Sequence, residues 1–507
     1  MNALNAVHDL VWEAPGLTLI LGTGLYLTAV TGFAQVRLFP AAVRRFMGMF
    51  RRTKECRQGV SPFQALCTAL AATVGTGNLV GVAGAICLGG PGAIFWMWVC
   101  GLVGMATKFA EATLAVRYRV RRGKEYAGGP MYMICQGMDK RFHFLAGIYS
   151  FLGVLAAFGV GNATQINAVI TGVNNVLTRF GGQATLRGNL LMGLFLAVMV
   201  GAALLGGAKR IGQTAEKLVP IASGCYIVLC VLVLALRAEA VPGAFRVIVE
   251  GAFSPRAVTG GAIGSAFRGL SVGCSRGVFT NEAGMGTASI AHAGAEVSHP
   301  AEQGLMGIVE VFLDTIVICT LTALAILCSG VAIPYGGDVG ADLTTEAFTS
   351  VLGDWVSLFL SAFLACFAFA TVLGWGLYGA RCGEYLMGPG VWKGFAAAQT
   401  AAVVLAAVMK TETVWQLAET VNGLMAIPNL IALLWLSPEL RRLTKEYIHG
   451  GKAANGGTYA NIHQCQSMRT IPHAEIPPSG GSGGKAGEED LPSQYRAAGS
   501  GHPVRFL

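Results

Sequence analysis

Apolar stretches long enough to cross a lipid bilayer recur along most of this 507-residue chain. A hydrocarbon core of about 30 Å requires about 20 apolar residues in a helix, so each stretch predicts a membrane-spanning helix. Only 12% of the residues are charged, about half of the roughly 25% found in soluble domains. The sequence therefore predicts an all-α polytopic membrane protein and excludes a water-soluble globule.

Hydropathy predicts about eleven of these helices. Their predicted boundaries are Pro15–Val36, Pro62–Leu88, Pro91–Val116, Phe144–Val173, Leu190–Gly206, Leu218–Leu236, Gly261–Ala291, Gly304–Gly330, Val356–Glu384, Gly394–Val408 and Val414–Leu436. Lysine and arginine concentrate in every second connection, beginning with the one after the first helix, whereas Val331–Trp355 contains acidic residues and neither lysine nor arginine. By the positive-inside rule this pattern predicts an N-terminus outside and a cytoplasmic C-terminus.

The composition changes after Glu446, where Gly, Ser, Pro and Ala replace the apolar pattern. We therefore predict a transmembrane domain over residues 1–446 and a disordered cytoplasmic tail over residues 447–507. The net charge of +9 is dispersed among short connections, as expected for cytoplasmic loops and not for a nucleic-acid-binding surface. No HExxH or Walker A sequence occurs, and no histidines stand at metal-ligand spacing in an apolar stretch. We therefore predict neither an enzyme nor a resident cofactor.

Two of the predicted helices are interrupted by glycine and hydroxyl residues that weaken a helix. In the second helix the run is Ala72–Asn78, and in the seventh it is Ser271–Gly277, followed by Thr280, Asn281 and Glu282. Unwound backbone at membrane depth is tolerated only where protein or a water-filled cavity surrounds it. Freed N–H groups favour a carboxylate and freed carbonyls favour a cation, so paired breaks predict the binding site of a secondary transporter. Close packing of helices at small residues is the alternative.

Charged residues inside predicted membrane helices are costly, which indicates that they are functional or paired. Arg276 and Glu282 belong to the second interrupted segment, where Glu282 is either a coupling or gating residue or a partner of the helix dipole. Lys108 and Glu111 share a helix face and are expected to pair with each other or with neighbouring helices. Asp314, in the eighth helix, is either a proton-coupling carboxylate or a structural hydrogen-bonding residue.

Seven short motifs lie in order between Pro15 and Glu446. They are Thr73–Asn78 (TVGTGN), Gly89–Trp98 (GGPGAIFWMW), Lys108–Glu111 (KFAE), Gly128–Tyr132 (GGPMY), Gly277–Gly284 (GVFTNEAG), Leu373–Trp375 (LGW) and Asn422–Asn429 (NGLMAIPN). Through these motifs the chain resembles the alanine/glycine:cation symporter family, also called sodium:alanine symporters, of the amino acid-polyamine-organocation superfamily. The resemblance implies an inverted-repeat fold of five plus five helices with one extra N-terminal helix. The two interrupted helices would then be the broken core helices one and six.

The resemblance also implies a substrate and a set of ligands. Family members import small neutral amino acids, mainly alanine and glycine, with Na⁺ or sometimes H⁺, here across a bacterial inner membrane. The residues implied for the amino acid are Gly75, Thr76, Gly77, Asn78, Gln165, Gly273, Gly277, Phe279 and Trp375, with Trp375 expected to cap the pocket. The implied Na⁺ ligands are Thr73, Val74 and Thr371, and oxygen donors of this kind suit a hard cation. The family often has Ser-Thr where this chain has Ala370-Thr371, so one hydroxyl ligand is absent.

We therefore expect a secondary active symporter that carries a small neutral amino acid with Na⁺ by alternating access. A proton-coupled or exchange-type amino-acid carrier is the alternative within transport. A sensor that binds amino acids without moving them is the alternative outside it. The expected partners are the amino acid, the co-transported cation and the lipid bilayer.

Overall fold

Helices dominate the computed structural model. The structure describes residues 8, 10, 12, 14–49, 60–123, 125–254, 259–261, 265–337, 340–409 and 412–454. The first helices are α1 (Ala14–Val30), α2 (Ala34–Arg37), α3 (Phe39–Met49), α4 (Pro62–Thr73), α5 (Val82–Gly89) and α6 (Gly92–Arg117). A short antiparallel hairpin follows, formed by β1 (Val120–Arg122) and β2 (Glu125–Ala127).

Fifteen further helices follow the hairpin among the described residues. They are α7 (Pro130–Gly137), α8 (Phe144–Phe158), α9 (Thr164–Arg179), α10 (Leu186–Leu204), α11 (Gly207–Leu236), α12 (Val241–Phe253), α13 (Ala266–Asn281), α14 (Thr287–Ala293), α15 (Pro300–Val311), α16 (Thr320–Cys328), α17 (Gly340–Leu352), α18 (Val356–Met387), α19 (Val391–Ala406), α20 (Glu412–Trp435) and α21 (Ser437–Ala454). Single 3₁₀ turns lie at Lys140–Phe142 and Ala238–Ala240. In the described part of the chain three π-helical segments, in which the turn is wider, lie between helices: π1 (Gly77–Gly81), π2 (Gly159–Ala163) and π3 (Phe312–Cys319).

Seven helices of the described chain are long and apolar enough to cross a membrane, or up to eight if α4 and the bent segment after it form one span. The helical, multi-pass architecture is therefore confirmed, whereas the count of eleven stays a prediction. The first span ends at Val30 and not at Val36. Gly32 (φ 65°) and Phe33 (φ 58°) adopt the left-handed backbone that ends helices and turn the chain there.

Outward faces of α10 and α11 expose large apolar side chains. Leu191, Phe195 and Val198 on α10 are 65–71% exposed, and Ile221 and Val228 on α11 are 67% and 69% exposed. Contiguous apolar surface of this kind is unfavourable in water and favourable against lipid. These two faces therefore suit contact with the hydrocarbon of a bilayer.

Helix α6 packs against α1, α12, α13, α14 and α15, and glycines permit the close approach. A Cβ atom on Gly92 would lie 2.1 Å from the backbone of Gly251, and one on Gly307 would lie 2.7 Å from the carbonyl oxygen of Lys108. Small residues let membrane helices approach within backbone contact. Much of the chain's high glycine content therefore serves packing.

Two connections predicted as loops contain helices, and a further helix follows the last predicted span. Helix α12 lies between the sixth and seventh predicted spans, and α17 lies within Val331–Trp355. Helix α21 continues to Ala454, past the predicted end of the transmembrane domain at Glu446. The rest of the predicted disordered tail, residues 455–507, lies outside the described residues.

Candidate functional site: two helix breaks joined by buried polar residues

The first break separates α4 from π1 and α5, within the Ala72–Asn78 run that the sequence singles out. Helix α4 ends at Thr73 because Val74 adopts an extended backbone (φ −76°, ψ 101°). The helical halves on either side are bent by 51°. The side chain of Asn78 holds the turn, since its Oδ1 accepts the N–H of Gly75 at 2.9 Å. The helix therefore breaks within the run that the sequence singles out, and Asn78 caps the break.

Thr371 and Gln165 meet at Gly75. A Cβ atom on Gly75 would lie 2.9 Å from Oγ1 of Thr371 and 3.5 Å from Oε1 of Gln165. The single hydrogen of the Thr371 hydroxyl is shared between the carbonyls of Ala71 and Phe367, each at 2.9 Å, which leaves the oxygen's lone pairs available. The backbone of Gly75 therefore lies close to polar side-chain atoms of α9 and α18.

The side chain of Gln165 has a buried acceptor, Oε1, near Gly75. Its Nε2 donates to the carbonyl of Val160 at 3.2 Å, whereas its Oε1 is buried with no hydrogen-bond partner among the described residues. Buried polar atoms are nearly always hydrogen-bonded, so this oxygen marks a place for a donor such as an ammonium group. The nearby Asn162 and Asn167 also donate to carbonyls, of α19 and of the segment after it, as contacts between helices do. Oδ1 of Asn162 likewise has no hydrogen-bond partner among the described residues, so the position of Gln165 near Gly75 is what distinguishes it.

A cavity of about 470 Å³ lies beside the first break. Its lining includes Leu79 and Val80, which follow Asn78, and Leu364, which precedes Thr371 on α18. Pockets for small molecules fall in the range of about 300–1,000 Å³. The cavity has sufficient volume for an amino acid, but its lining comes mainly from α9, α17 and the first half of α18 and does not include Gly75, Gln165 or Thr371.

The second break does not lie where the sequence predicts it. Helix α13 runs without interruption through Ser271–Gly277 and ends at Asn281. Glu282 then adopts a left-handed backbone (φ 53°), and Gly284 and Gly286 follow at φ 97° and 77°. Left-handed values cost a glycine little, which explains why the chain turns at these two residues. The prediction of a break at Ser271–Gly277 is wrong, since the chain leaves the helix only at Glu282.

Gly273 and Gly277 lie against α6 and not at Gly75. A Cβ atom on Gly273 would lie 2.3 Å from the carbonyl oxygen of Ala93, and one on Gly277 would lie 3.2 Å from the side chain of Cys100 on the same helix. For these two glycines the structure shows close helix packing, the alternative that the sequence left open. Helix α13 instead approaches the first break at Thr280, whose Oγ1 would lie 3.2 Å from a Cβ on Gly77.

Arg276 and Phe279 join α13 to α20 and to the start of the chain. Arg276 forms an ion pair with Glu419 at 3.3 Å, and the other carboxylate oxygen of Glu419 lies 3.5 Å from Nε2 of His8. Phe279 packs edge-on against Trp12, with ring centroids 6.5 Å apart. Trp12 also donates its indole N–H to the carbonyl of Glu419 at 3.0 Å. These contacts place Arg276 and Phe279 at a junction of three chain segments.

Glu111 satisfies the backbone of the second break. Its Oε1 accepts the N–H groups of Gly284 and Gly286 at 2.9 and 3.0 Å and the side-chain N–H of Asn429 at 2.7 Å. Asn429 also donates to the carbonyl of Gly284 at 2.9 Å. A carboxylate is stabilised by freed amides and by the dipole at the start of a helix, here α14. The donors freed by the second break are therefore occupied by the protein's own carboxylate.

Lys108 does not form an ion pair with Glu111. Its ammonium group lies 3.0 Å from Oε1 of Glu310, and both side chains are fully buried. His292 lies 2.8 Å from the other Glu310 oxygen, and Gln303 hydrogen-bonds the second ring nitrogen of His292 at 2.8 Å. The buried charge of Lys108 is thus compensated by a residue 202 positions away, which agrees with the expectation of pairing with neighbouring helices.

Trp375 and Glu282 form another buried link. The indole N–H of Trp375 donates to Oε1 of Glu282 at 3.1 Å, and the hydroxyl of Thr287 donates to Oε2 at 2.6 Å. Trp375 is fully buried and packs against Gly161, where a Cβ atom would lie 2.2 Å from that of Trp375. Trp375 therefore ties α18 to the second break and to π2.

Asp314 lies beside the first break, on π3. Its Oδ1 accepts the side-chain N–H of Asn78 at 2.7 Å, and its Oδ2 accepts the hydroxyl of Thr315 at 2.9 Å. The structure thus brings together Gly75, Asn78, Gln165, Thr371 and Asp314. Sequence reasoning missed the capping role of Glu111 with Asn429; the spacing of Gly284 and Gly286 was the available local signal for the break that they satisfy.

Comparison with known proteins identifies relatives across nearly the whole chain. A family model described as the sodium:alanine symporter family matches residues 1–460. The sodium/alanine symporter AgcS of Methanococcus maripaludis is 42% identical over 456 residues, covering 88% of this chain and 97% of that protein. The probable sodium/glutamine symporter GlnT of Bacillus subtilis is 38% identical over 454 residues, covering 89% and 91%.

Solved structures with low sequence identity share the fold. MhsT, solved in complex with L-phenylalanine, has a TM-score of 0.52 and 15% identity, and the match covers 77% of this chain and 99% of MhsT. MHP1, a nucleobase-cation-symport-1 family transporter, has a TM-score of 0.50 and 12% identity, with coverage of 77% and 94%. At these identities the matches show the fold alone, so the helices of this chain have the general arrangement found in those two proteins.

Proposed function

Because this chain belongs to the sodium:alanine symporter family, we propose that it imports alanine together with Na⁺ and takes glycine as a second substrate. Its relatives are transporters, and the chain is a transporter and not an enzyme. The observation that carries the proposed substrate is Oε1 of Gln165, which is buried without a hydrogen-bond partner among the described residues and, like the hydroxyl of Thr371, lies close to Gly75.

In the proposed complex the ammonium group of alanine donates to Oε1 of Gln165. The carboxylate lies at the amides of Thr76 and Gly77, where the start of π1 offers N–H groups and a favourable dipole. The Gly75 amide donates to Asn78 in this structure, so it joins the carboxylate only when the Asn78 side chain turns away. The absence of a side chain at Gly75 lets the backbone of the first break approach Thr371 of α18 closely, since a Cβ atom there would lie 2.9 Å from its Oγ1.

Na⁺ is proposed to lie between the C-terminal end of α4 and Thr371. The last carbonyls of a helix have no helical N–H partner and carry partial negative charge. Thr371 already contacts one of them, the carbonyl of Ala71, at 2.9 Å, and the carbonyls of Thr73 and Val74 follow. Because Ala370 supplies no second hydroxyl, backbone carbonyls provide most of this proposed site.

We propose that transport proceeds by alternating access in the inner membrane, with the N-terminus outside and the C-terminus in the cytoplasm. In that orientation the cavity beside Leu79 lies on the outer side of Gly75. Alanine and Na⁺ then stabilise the same occluded arrangement of the first break, so each raises the affinity for the other.

Uptake of labelled alanine into vesicles containing the purified protein tests the proposal. An inward Na⁺ gradient is compared with an equal K⁺ gradient at fixed pH, and glycine and glutamine are added as competitors, glutamine because a relative is named for it. We expect accumulation only with Na⁺ and competition by glycine. Uptake that persists without Na⁺ would contradict sodium coupling and favour the proton-coupled or exchange-type carrier, and no uptake under either gradient would exclude alanine.

Replacing Gln165 with leucine is expected to weaken alanine binding. Hydrogen bonds to charged groups contribute about 1.5–3 kcal/mol, which corresponds to a rise of about 10- to 150-fold in KM. Asn167→Leu is the matched control, since this amide of the same helix contacts Met409 and not Gly75. Initial rates at saturating Na⁺ provide the measurement, and an unchanged KM in Gln165→Leu would remove Gln165 from the site.

Replacing Thr371 with alanine is expected to raise the Na⁺ concentration for half-maximal uptake by about tenfold, since one oxygen ligand is lost. Thr371→Ser keeps the hydroxyl and should stay near the original value, and Ala370→Ser should lower it. Thr214→Ala is the matched control because Thr214 also bonds a carbonyl four residues earlier but lies on α11, away from the break. Equal Na⁺ dependence in Thr371→Ala and Thr214→Ala would exclude Thr371 as a ligand.

A further inference from the structure

A continuous chain of hydrogen bonds joins the two helix breaks through Asp314. On the side of the first break, Gly75 donates to Asn78 at 2.9 Å and Asn78 donates to Oδ1 of Asp314 at 2.7 Å. On the other side, the hydroxyl of Thr315 donates to Oδ2 of Asp314 at 2.9 Å and accepts the side-chain N–H of Asn281 at 3.2 Å. A single carboxylate thus connects two asparagines on different helices.

Asn281 completes the chain at the second break. Its Oδ1 accepts the N–H of Ala283 at 2.9 Å, as Asn78 accepts the N–H of Gly75 at the first break. Asn78, Asp314 and Thr315 are fully buried, and Asn281 is 1% exposed. Each break is therefore capped by a buried asparagine whose amide nitrogen points toward the Asp314–Thr315 pair. A change in the hydrogen bonds of Asp314 would therefore alter the asparagine caps of both breaks.

The surroundings of Asp314 contain no cation that pairs with it among the described residues. Helix α6 contributes Lys108, whose ammonium group is bound to Glu310 of α15 at 3.0 Å. Both of these charges act on Asp314 only electrostatically. Helix α13 and segment π1 present the uncharged Asn281 and Asn78, and π3 itself adds the thiol of Cys319. An ionised carboxylate buried without a cation is costly, whereas a neutral carboxyl group is not.

We propose that Asp314 binds an exchangeable proton during the transport cycle and that this proton changes the connection between the two breaks. The role in the cycle rests on the proposed function; the presence of a proton site does not. The carboxylate takes one proton from water, and an O–H bond forms at Oδ2. The new O–H donates to Oγ1 of Thr315, and the Thr315 hydrogen turns to a carbonyl of the preceding turn. Release returns the proton to water and restores the observed bond.

Infrared difference spectra of the purified full-length protein between acid and alkaline pH test the proton site without any transport measurement. We expect a C=O stretch of a protonated carboxyl group in an apolar environment, and we expect Asp314→Asn to lose part of that band. Glu250→Gln is the control, since Glu250 is half-exposed and pairs with Arg246 on α12. A difference spectrum of Asp314→Asn that matches the original protein would overturn the proposal.

The pH dependence of uptake tests the role of this proton in the cycle. With a constant Na⁺ gradient and equal pH on both sides, a single titrating group changes the alanine uptake rate by up to about tenfold per pH unit on its limiting side. We expect Asp314→Asn to flatten the profile and Glu250→Gln to keep it. If Asp314→Asn keeps the pH profile of the unsubstituted protein but changes the Na⁺ dependence of uptake, Asp314 is a Na⁺ ligand and the proposal is overturned.

The proton site can still be tested if uptake or expression fails. If the original protein takes up no alanine, the proposed function fails, while the infrared result still decides the proton site. If Asp314→Asn does not reach the membrane, Thr315→Val replaces it. That variant removes the hydroxyl that stabilises the ionised carboxylate, so the midpoint of the infrared titration should move to higher pH. An unchanged midpoint in Thr315→Val would contradict the connection through Asp314.

Discussion

The Gly75→Val variant is expected to reach the membrane and to transport no alanine. The Cβ atom alone would lie 2.9 Å from the hydroxyl oxygen of Thr371 and 3.5 Å from Oε1 of Gln165. The two methyl groups of valine would therefore crowd Thr371 and Gln165, the side chains at which we place the cation and the amino acid. Uptake of labelled alanine under an inward Na⁺ gradient provides the measurement, and the amount of protein in the membrane fraction is determined in parallel.

A graded series separates this steric effect from a general effect of glycine replacement. Gly84 lies on α5, beyond the same break, and a Cβ atom there would meet nothing within 4 Å. We expect full uptake from Gly84→Ala, reduced uptake from Gly75→Ala and none from Gly75→Val. Normal transport by Gly75→Val would refute a binding site at the first break, since valine would crowd the side chains at which the substrate is placed.

The Lys108→Met variant is expected to lose about 3–5 kcal/mol of stability, because removal of one partner leaves a buried charge uncompensated. The partner is Glu310, whose Oε1 lies 3.0 Å from the Lys108 ammonium group with both side chains fully buried. His292 remains 2.8 Å from the other oxygen, which places the expected loss toward the lower end of that range. Unfolding of the purified protein in detergent, followed by circular dichroism, provides the measurement.

Two companion variants test the cause of this loss. Arg246→Met removes one partner of an exposed ion pair, with side chains 77% and 48% exposed, and pairs of that kind contribute about 0–1 kcal/mol. Lys108→Met combined with Glu310→Gln removes both buried charges and should regain part of the lost stability. If Lys108→Met and Arg246→Met lose the same amount of stability, burial does not determine the contribution of the Lys108–Glu310 pair.

Local sequence identifies the first break well because its determinants are adjacent in the chain. Gly75, Gly77 and Asn78 all lie within one turn, and the asparagine caps a residue three positions away. Prediction fails at Gly273 because a glycine that admits a neighbouring helix and a glycine that ends a helix look the same in a sequence. The distinction depends on α6, whose Ala93 carbonyl approaches Gly273 within the space of a side chain.

The buried polar contacts could not be predicted, since their partners are far apart in sequence. Glu111 and Gly284 are separated by 173 residues, and Asn78 and Asp314 by 236. Hydropathy and spacing describe one helix at a time and contain no information on which helices become neighbours. The sequence does indicate that charges such as Lys108 and Asp314 need compensation, because unpaired charge in an apolar helix is costly. The sequence does not indicate which residue compensates each charge.

The number of residues in each of the three π-helical segments determines the direction in which the side chains of that helix point. A π turn contains one residue more than an α-helix would accommodate, so each segment amounts to a one-residue insertion. Loss of a single residue within Phe312–Cys319 would rotate the remainder of that helix by about 100° relative to the part before it. Asp314 would then present itself to different neighbours although no side chain had been exchanged. Among relatives of this chain, one-residue deletions in these segments therefore deserve the same scrutiny as substitutions of the ligands themselves.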